Sequence, residues 1–499
     1  MALPISLDTW PPDGWANTYD DYEEAAAWYS GDPNTLSSLY SSRLYTPTPE
    51  GRFWSKDMAE TRRVILHLPI AGDIASTSAD LLFSEHAQVS VDEGNEAVQA
   101  RLDEIIDETY FHRRVLEAAE TCAALGGVFL KVDWDPALSA FPLLNVVQPD
   151  NALPEFRYGL MSGVTFHQAV EAQDSGTVWR HLERHTPGLI ENGLYQGTTT
   201  TLGGRVGLDA HSATAGLLDV VQTGLEGLAA RYIPNMLPNR KYRQSAIGRG
   251  DAGGSETLLD SLDEVWTSLM RDIRLGQGRI IAPVQFFEND ADGTKRFNVD
   301  KEVYLALHAP ITGDSTATNQ LTVNQFAIRT AEHLDAATSL IIQIVTNAGY
   351  SPQTFGLKVE AMPESGAALR IRERRSFVTA AKKSEYWRPA LQDILEIMLQ
   401  VDKLHLSGTL PAVRPTVEIQ DSVQSDMMEI ATSVELLTRA QSASVETKIR
   451  MLHPDWHDDH VDTEVEAILE ETGMSVVNPD AVGIPADEPD DTEENISDE

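Results

Sequence analysis

Leu258, Leu259, Leu262, Val265, Trp266, Leu269, Met270 and Ile273 recur at three- and four-residue spacing, the buried stripe of an amphipathic helix. Ser255 is placed to cap its start, with Glu256 in the first turn. Arg271 and Arg274 fall near the negative C-terminal end, and Gly276 and Gly278 stop it. About 22 residues rising ~1.5 Å each give a rod of roughly 33 Å. Its packing seam runs through Leu262, Trp266, Leu269 and Met270, and Glu256, Asp260, Asp263 and Glu264 lie along an acidic stripe on the polar side. A rod with one apolar and one negative face must pack against something, and a neighbouring subunit is a natural partner.

The pattern then changes period. Residues 280–287 read as a strand, 289–293 as a turn, and 302–307 as a second strand, followed by a polar stretch at 312–318. A second helix is predicted over about 324–348, burying Phe326, Ile328, Leu334, Leu340, Ile341, Ile344 and Val345, and ended by Gly349. Residues 350–366 contain Pro352, Gly356, Pro363 and Gly366, too many breakers for regular structure. A long helix follows to about Leu406 with Pro389 inside it, where a lost hydrogen bond and a ring clash should bend it.

The N-terminal half alternates both periods and reads as α+β. Helices are predicted at 22–29 and 96–125. Strands are predicted at 127–134, 143–147 and 178–182, and a β meander over 186–208. Past the long helix come a strand at 413–419 and two or three acidic helices between 422 and 473. The segment from about 479 onward is acidic enough to stay solvated and disordered.

The formal net charge of −39 argues against ordinary nucleic-acid binding, which needs basic side chains to displace counterions. It does not argue against a conduit, where a repelling wall would let a duplex slide. Cys122, the single cysteine, excludes an intrachain disulfide and a cysteine zinc cluster, and its apolar neighbours predict a buried thiol. The first residues lack a basic n-region and an apolar h-region, and no apolar run approaches the ~20 residues that span a bilayer. The expectation is a soluble protein made in a cytoplasm, without membrane contact.

Three stretches carry candidate chemistry. Residues 248–253 (Gly-Arg-Gly-Asp-Ala-Gly) fit a dinucleotide fingerprint, but a basic loop rather than a strand precedes them, which favours a flexible lead-in to the first rod. Residues 453–460 gather three histidines and three aspartates, with His457 and His460 spaced to share a helix face and a divalent ion; Pro454 and Trp456 instead suggest a turn between helices. Arg370, Arg372, Arg374, Arg375, Lys382, Lys383 and Arg388 make the long helix locally basic, for DNA contact or for salt bridges within or between subunits. There is no Gly-Lys-Ser/Thr phosphate loop and no nucleophile elbow. The alternatives are a structural ring-forming conduit, a nucleotide- or metal-dependent enzyme using the 248–253 turn or the 453–460 cluster, and a cellular scaffold of long helices.

The chain resembles the portal proteins of tailed bacteriophages, in particular long-tailed phages of actinobacterial hosts. The resemblance lies in Ala71-Gly72-Asp73-Ile74-Ala75-Ser76-Thr77-Ser78-Ala79-Asp80-Leu81-Leu82-Phe83-Ser84-Glu85, Tyr232-Ile233-Pro234-Asn235-Met236-Leu237-Pro238-Asn239-Arg240 and Trp266-Thr267-Ser268-Leu269-Met270-Arg271-Asp272-Ile273-Arg274. It continues in Ala348-Gly349-Tyr350-Ser351-Pro352-Gln353-Thr354-Phe355-Gly356, Arg372-Glu373-Arg374-Arg375 and Tyr386-Trp387-Arg388-Pro389-Ala390-Leu391. It implies a wing over 1–235, a lead-in and first stem helix over 236–279, a β clip over 280–323 and a second stem helix over 324–349. A tunnel loop over 350–366, a kinked helix over 367–408 and a crown over 409–475 would follow, with an acidic tail over 476–499. It further implies a non-enzymatic, cofactor-free ring, usually of twelve subunits, assembled in the host cytoplasm and set at one capsid vertex of the virion. The large terminase, a head–tail connector, and the major capsid and scaffolding proteins would be its partners, with double-stranded DNA passing through. Lys358 and Glu360 would face that DNA.

Overall fold

The computed structural model describes residues 3–42, 52–55, 65–92, 94–172, 176–275, 279–281, 288–289, 295–296, 322–324, 328–357, 366–406, 408–419, 427–440, 442–453, 456 and 458–471. The described residues mix helices and strands. It divides into two compact units, residues 1–422 and 423–499.

In chain order the first unit runs β1 (Ser6–Leu7), α1 (Ala16–Ser30), α2 (Pro33–Ser42), α3 (Ile70–Phe83), β2 (Gln88–Ser90), α4 (Glu96–Glu108) and α5 (Phe111–Leu125). Strands β3 (Gly127–Asp133), β4 (Leu143–Val147), β5 (Ala152–Arg157), β6 (Leu160–Ala172), β7 (Val178–Thr186), β8 (Leu189–Gly197), β9 (Gly203–Val206), β10 (Val220–Gln222) and β11 (Ala230–Pro234) follow. Then come α6 (Glu256–Leu275), β12 (Arg279–Ile281), β13 (Glu288–Asn289), β14 (Lys295–Arg296), β15 (Thr322–Asn324), α7 (Thr330–Ala348), α8 (Gly366–His405) and β16 (Thr416–Glu418). The second unit holds α9 (Met427–Arg439), α10 (Val445–Leu452) and α11 (Asp458–Glu471), three helices where two or three are expected. Ser444 caps α10 by accepting from the Thr447 amide at 3.1 Å.

Every pairing among the described strands is antiparallel. Seven strands form one sheet, ordered β1-β9-β8-β7-β6-β5 with β10 beside β8. Three form a second, β11-β3-β4, in which β3 lies in the middle and is buried from Gly127 to Val132. Lys131 apart, the run is apolar, as a strand covered on both faces requires. Lys131 of β3 reaches Glu183 of β7 at 3.1 Å, and His185 reaches the same carboxylate at 2.5 Å, so a buried ionic knot ties the two sheets.

Helix α5 places Phe111, Val115, Ala118, Ala119 and Cys122 on one stripe, packed on β3 and on Trp387, Leu391, Ile394, Leu395 and Met398 of α8. The second half of α8 therefore shares one core with α3, α4 and α5, although some 260 residues of chain separate them. A second core joins Trp28, Leu36, Tyr40 and Trp54 to Leu259 and Leu262 of α6 and Ile344 and Val345 of α7.

Several expectations shift. The helix predicted over 22–29 begins at Ala16, and the one over 96–125 breaks at Tyr110, whose φ of 53° is left-handed. Ile328 and Leu334 are exposed rather than buried, at 39% and 42%, because α6 covers chiefly the C-terminal half of α7. Phe326, most of the region 280–323 and residues 476–499 lie outside the described residues.

Candidate functional site

Helices α6 and α7 pack on each other, and β12 and β15 pair immediately beyond them, Ile280 opposite Val323. At that end Asp272 of α6 accepts from Arg329 Nη2 at 3.2 Å and from His333 Nε2 at 3.1 Å. The two contacts hold the Asp272 carboxyl below the usual carboxylate range, the His333 bond first. Residues 282–321 thus leave and return at one end of a two-helix hairpin. Leu262 and Leu269 are buried along it, and Trp266 and Met270 are half-buried.

The acidic stripe does not survive as a solvent face. Glu264 is exposed and Glu256 half-exposed, whereas Asp260 and Asp263 are 7% and 1% exposed. Asp263 accepts from His67 Nδ1 at 2.8 Å, Trp54 Nε1 at 3.1 Å and the Leu68 amide at 3.0 Å. Arg52 donates to Asp260 at 3.0 Å and to Glu24 at 2.7 Å. The N-terminal segment lies across α6 and supplies donors to carboxylates that helical spacing alone assigns to water. Burial nevertheless pushes Asp260 up to about 6, the Arg52 charge offsetting only part of the loss of hydration. Its Oδ1 has no partner among the described residues.

The base of the expected tunnel loop is firmly held. Pro352–Phe355 forms a 3₁₀ turn where no regular structure is expected. The Ser351 amide donates to Ser376 Oγ at 2.9 Å, Thr379 Oγ1 to the Gly349 carbonyl at 2.6 Å, and Arg375 Nη2 to the Thr346 carbonyl at 2.6 Å. Lys358 and Glu360 lie outside the described residues. Helix α8 is a single element of 40 residues that passes through Pro389.

The basic stretch of α8 separates by position. Lys383 is fully buried, with its Nζ 2.6 Å from Asp251 Oδ2, 2.6 Å from Ser78 Oγ and 2.9 Å from the Tyr350 hydroxyl. Asn235 Nδ2 donates to the other oxygen of Asp251 at 2.7 Å. Arg388 pairs with Glu385 at 3.1 Å, and Arg374 and Lys382 are exposed. The side chains of Arg370 and Arg372 lie outside the described residues.

The 248–253 turn is therefore no flexible lead-in: Asp251 is 2% exposed and bonded through both oxygens. The strand upstream of it, β11, is antiparallel to β3, so the parallel strand–turn–helix unit of a dinucleotide site is missing here. In the 453–460 cluster Trp456 stacks on His453 at 4.0 Å between centroids, and His460 is exposed. Pro454, Asp455 and His457 lie outside the described residues, among which no group of three metal-ligating side chains occurs. Cys122 is buried, its Sγ 3.5 Å from the Ile233 carbonyl, and burial pushes its thiol up.

Residues 210–477 match the family model described as phage portal protein, SPP1 Gp6-like, and this span exceeds half of the chain; the protein belongs to that family. No curated protein matches it. Among solved structures it is similar to a chain of the virion of a native gene transfer agent particle, 10% identical, over 89% of this chain and 94% of that one, at a TM-score of 0.42. It is also similar to chains in the neck of the native particle computed with C12 symmetry (11% identity, 87% and 93% covered, TM-score 0.40) and in the neck of the empty particle computed with C6 symmetry (11%, 89% and 94%, 0.39).

Proposed function

We propose that this chain is the structural subunit of a closed ring at one capsid vertex, the conduit through which double-stranded DNA enters and leaves. Family membership supports the structural role. The observation that carries the reading is the α6–α7 hairpin, braced by Asp272 and continued by the paired strands β12 and β15. Such a hairpin can stand beside copies of itself around an axis, with the region beyond its tip free to meet other components. In this reading those components are the packaging terminase and then the head–tail connector, while capsid and scaffolding proteins meet the outer face. In this reading the loop over 350–366 is the part of the chain that meets the passing duplex. The net charge of −39 suits a wall that must not bind the duplex tightly.

Negative-stain microscopy of the purified protein tests the ring. Particles with a central hole and about twelvefold symmetry are expected. A population of monomers and dimers at all concentrations and ionic strengths would overturn the reading.

A further inference from the structure

A cleft of about 640 Å³ lies between α1, the C-terminal end of α5 and the segment 239–256. Its size is that of a small-molecule site, about 300–1,000 Å³ in general. Three of its carboxylates are already engaged. Asp21 accepts from Lys241 Nζ at 2.5 Å and from the Tyr242 hydroxyl at 2.9 Å. Glu24 holds Arg52, and Glu256 Oε1 accepts from the Gly254 amide at 2.7 Å. Two further cations line the cleft, and neither Arg240 nor Arg249 has an ion-pair partner among the described residues. Arg249 is half-buried, and lost hydration together with the nearby Arg240 charge holds its pKa below the usual guanidinium value. The backbone beneath is fixed: a Cβ on Gly250 would meet the Ala124 carbonyl at 2.5 Å, so the turn is pressed against the end of α5. Helix α6 starts at the same edge and adds its positive end.

We infer that this cleft binds a small phosphorylated molecule, with its phosphate held between Arg240 and Arg249. The opposing charge nearest Arg249, Asp251, is already taken by Lys383, so a multiply charged oxyanion is what would join the two guanidiniums favourably, and their forked donors match phosphate oxygens. Asp21, Glu24 and Glu256 on the same walls repel an extended polyanion, so the occupant is a discrete ligand and not a DNA backbone. Tyr22, Trp28 and Tyr29 also line the cleft and offer apolar faces to an organic portion.

The test is titration of the full-length protein with sodium tripolyphosphate, ATP and citrate at constant ionic strength, read by calorimetry and thermal shift. Saturable binding of both phosphates is expected, weakened at least about tenfold in Arg240→Gln and in Arg249→Gln, because each loses a charge-assisted hydrogen bond. Lys403→Gln, at an exposed position outside the cleft, is expected to bind as the parent does. ATP binding tighter than tripolyphosphate places a nucleoside on the aromatic wall, and equal binding assigns the site to phosphate alone. If Arg249→Gln melts below the parent without ligand, Arg240→Gln, an exposed position, decides the matter. Absence of saturable phosphate binding, undiminished binding by the variants, or citrate binding as tightly would overturn the inference.

Discussion

Lys383 and Asp251 meet at 2.6 Å with 1% of each side chain exposed, joining the middle of α8 to the turn that precedes α6. Tyr350, at the end of α7, donates to the same Asp251 oxygen at 2.7 Å, so one carboxylate gathers the three segments that border the expected stem and tunnel loop. A buried ion pair of this kind adds little net stability against an apolar replacement, but leaving either partner alone is costly.

Lys383→Met should therefore destabilise the first unit by about 3–5 kcal/mol, since Asp251 would retain only Asn235 and Tyr350. The double change Lys383→Met with Asp251→Asn should recover a substantial part of that loss. Urea denaturation of the three proteins measures it. A single variant as stable as the parent would mean that the pair is not closed in solution.

Asp260 gives a pH signature. Its folded-state pKa is about 6 against 3.8 for the free group, so the folded state binds the extra proton between those values. The contribution of Asp260 to stability is therefore most favourable below about pH 4 and declines as pH rises through about 6. Asp260→Asn does not titrate. Its stability relative to the parent should improve by about 2–3 kcal/mol between pH 4 and pH 7. Melting temperatures across that range check it, and a pH-independent difference would refute the burial argument.

Helix α6 shows how far the sequence could be read. Its length and its apolar seam follow from spacing and end signals, and so do the bounds of β4, whereas its partner within the chain, α7, does not, since the same apolar face fits a neighbouring subunit equally well. The state of Asp260 and Asp263 does not, because it depends on Arg52, His67 and Trp54, about 200 residues upstream. Lys383 likewise reads as one of seven basic positions until Asp251, 132 residues away, is found beside it. Strand β6 was missed for another reason. It mixes Thr165, His167, Gln168 and Glu171 with apolar residues and ends largely exposed, so no clean alternation marks its 13 residues. Tyr19 and His167, 2.7 Å apart, then bury polar atoms that spacing assigns to solvent.

Assembly should depend on the part of the hairpin that its own chain leaves open. Ile273 and Leu334 are 39% and 42% exposed, on α6 and α7 respectively. Ile273→Glu with Leu334→Glu should leave the monomer fold within about 1 kcal/mol of the parent, as surface changes generally do. In a ring the same changes would place carboxylates in every subunit contact, at several kcal/mol each if unpaired. Light scattering should show loss of the ring with unchanged circular dichroism. A ring of parental mass would place the subunit contacts elsewhere.

Residues 358–363 offer the test closest to the proposed mechanism. Their flanks are fixed independently of them, through Ser351 on Ser376, Gly349 on Thr379, and Tyr350 on Lys383. Replacing 358–363, including Lys358 and Glu360, by a glycine–serine run of equal length removes the side chains while keeping the span. Ring formation should persist, because the anchoring bonds and the α6–α7 core lie outside the replaced stretch. If these side chains meet the passing duplex, packaged DNA should shorten or leak from assembled particles, while ring yield stays at the parental level. Measuring ring mass and packaged DNA length on the same preparations separates the two roles. Loss of both would assign the segment to assembly, and retention of both would leave the channel without a contact at this loop.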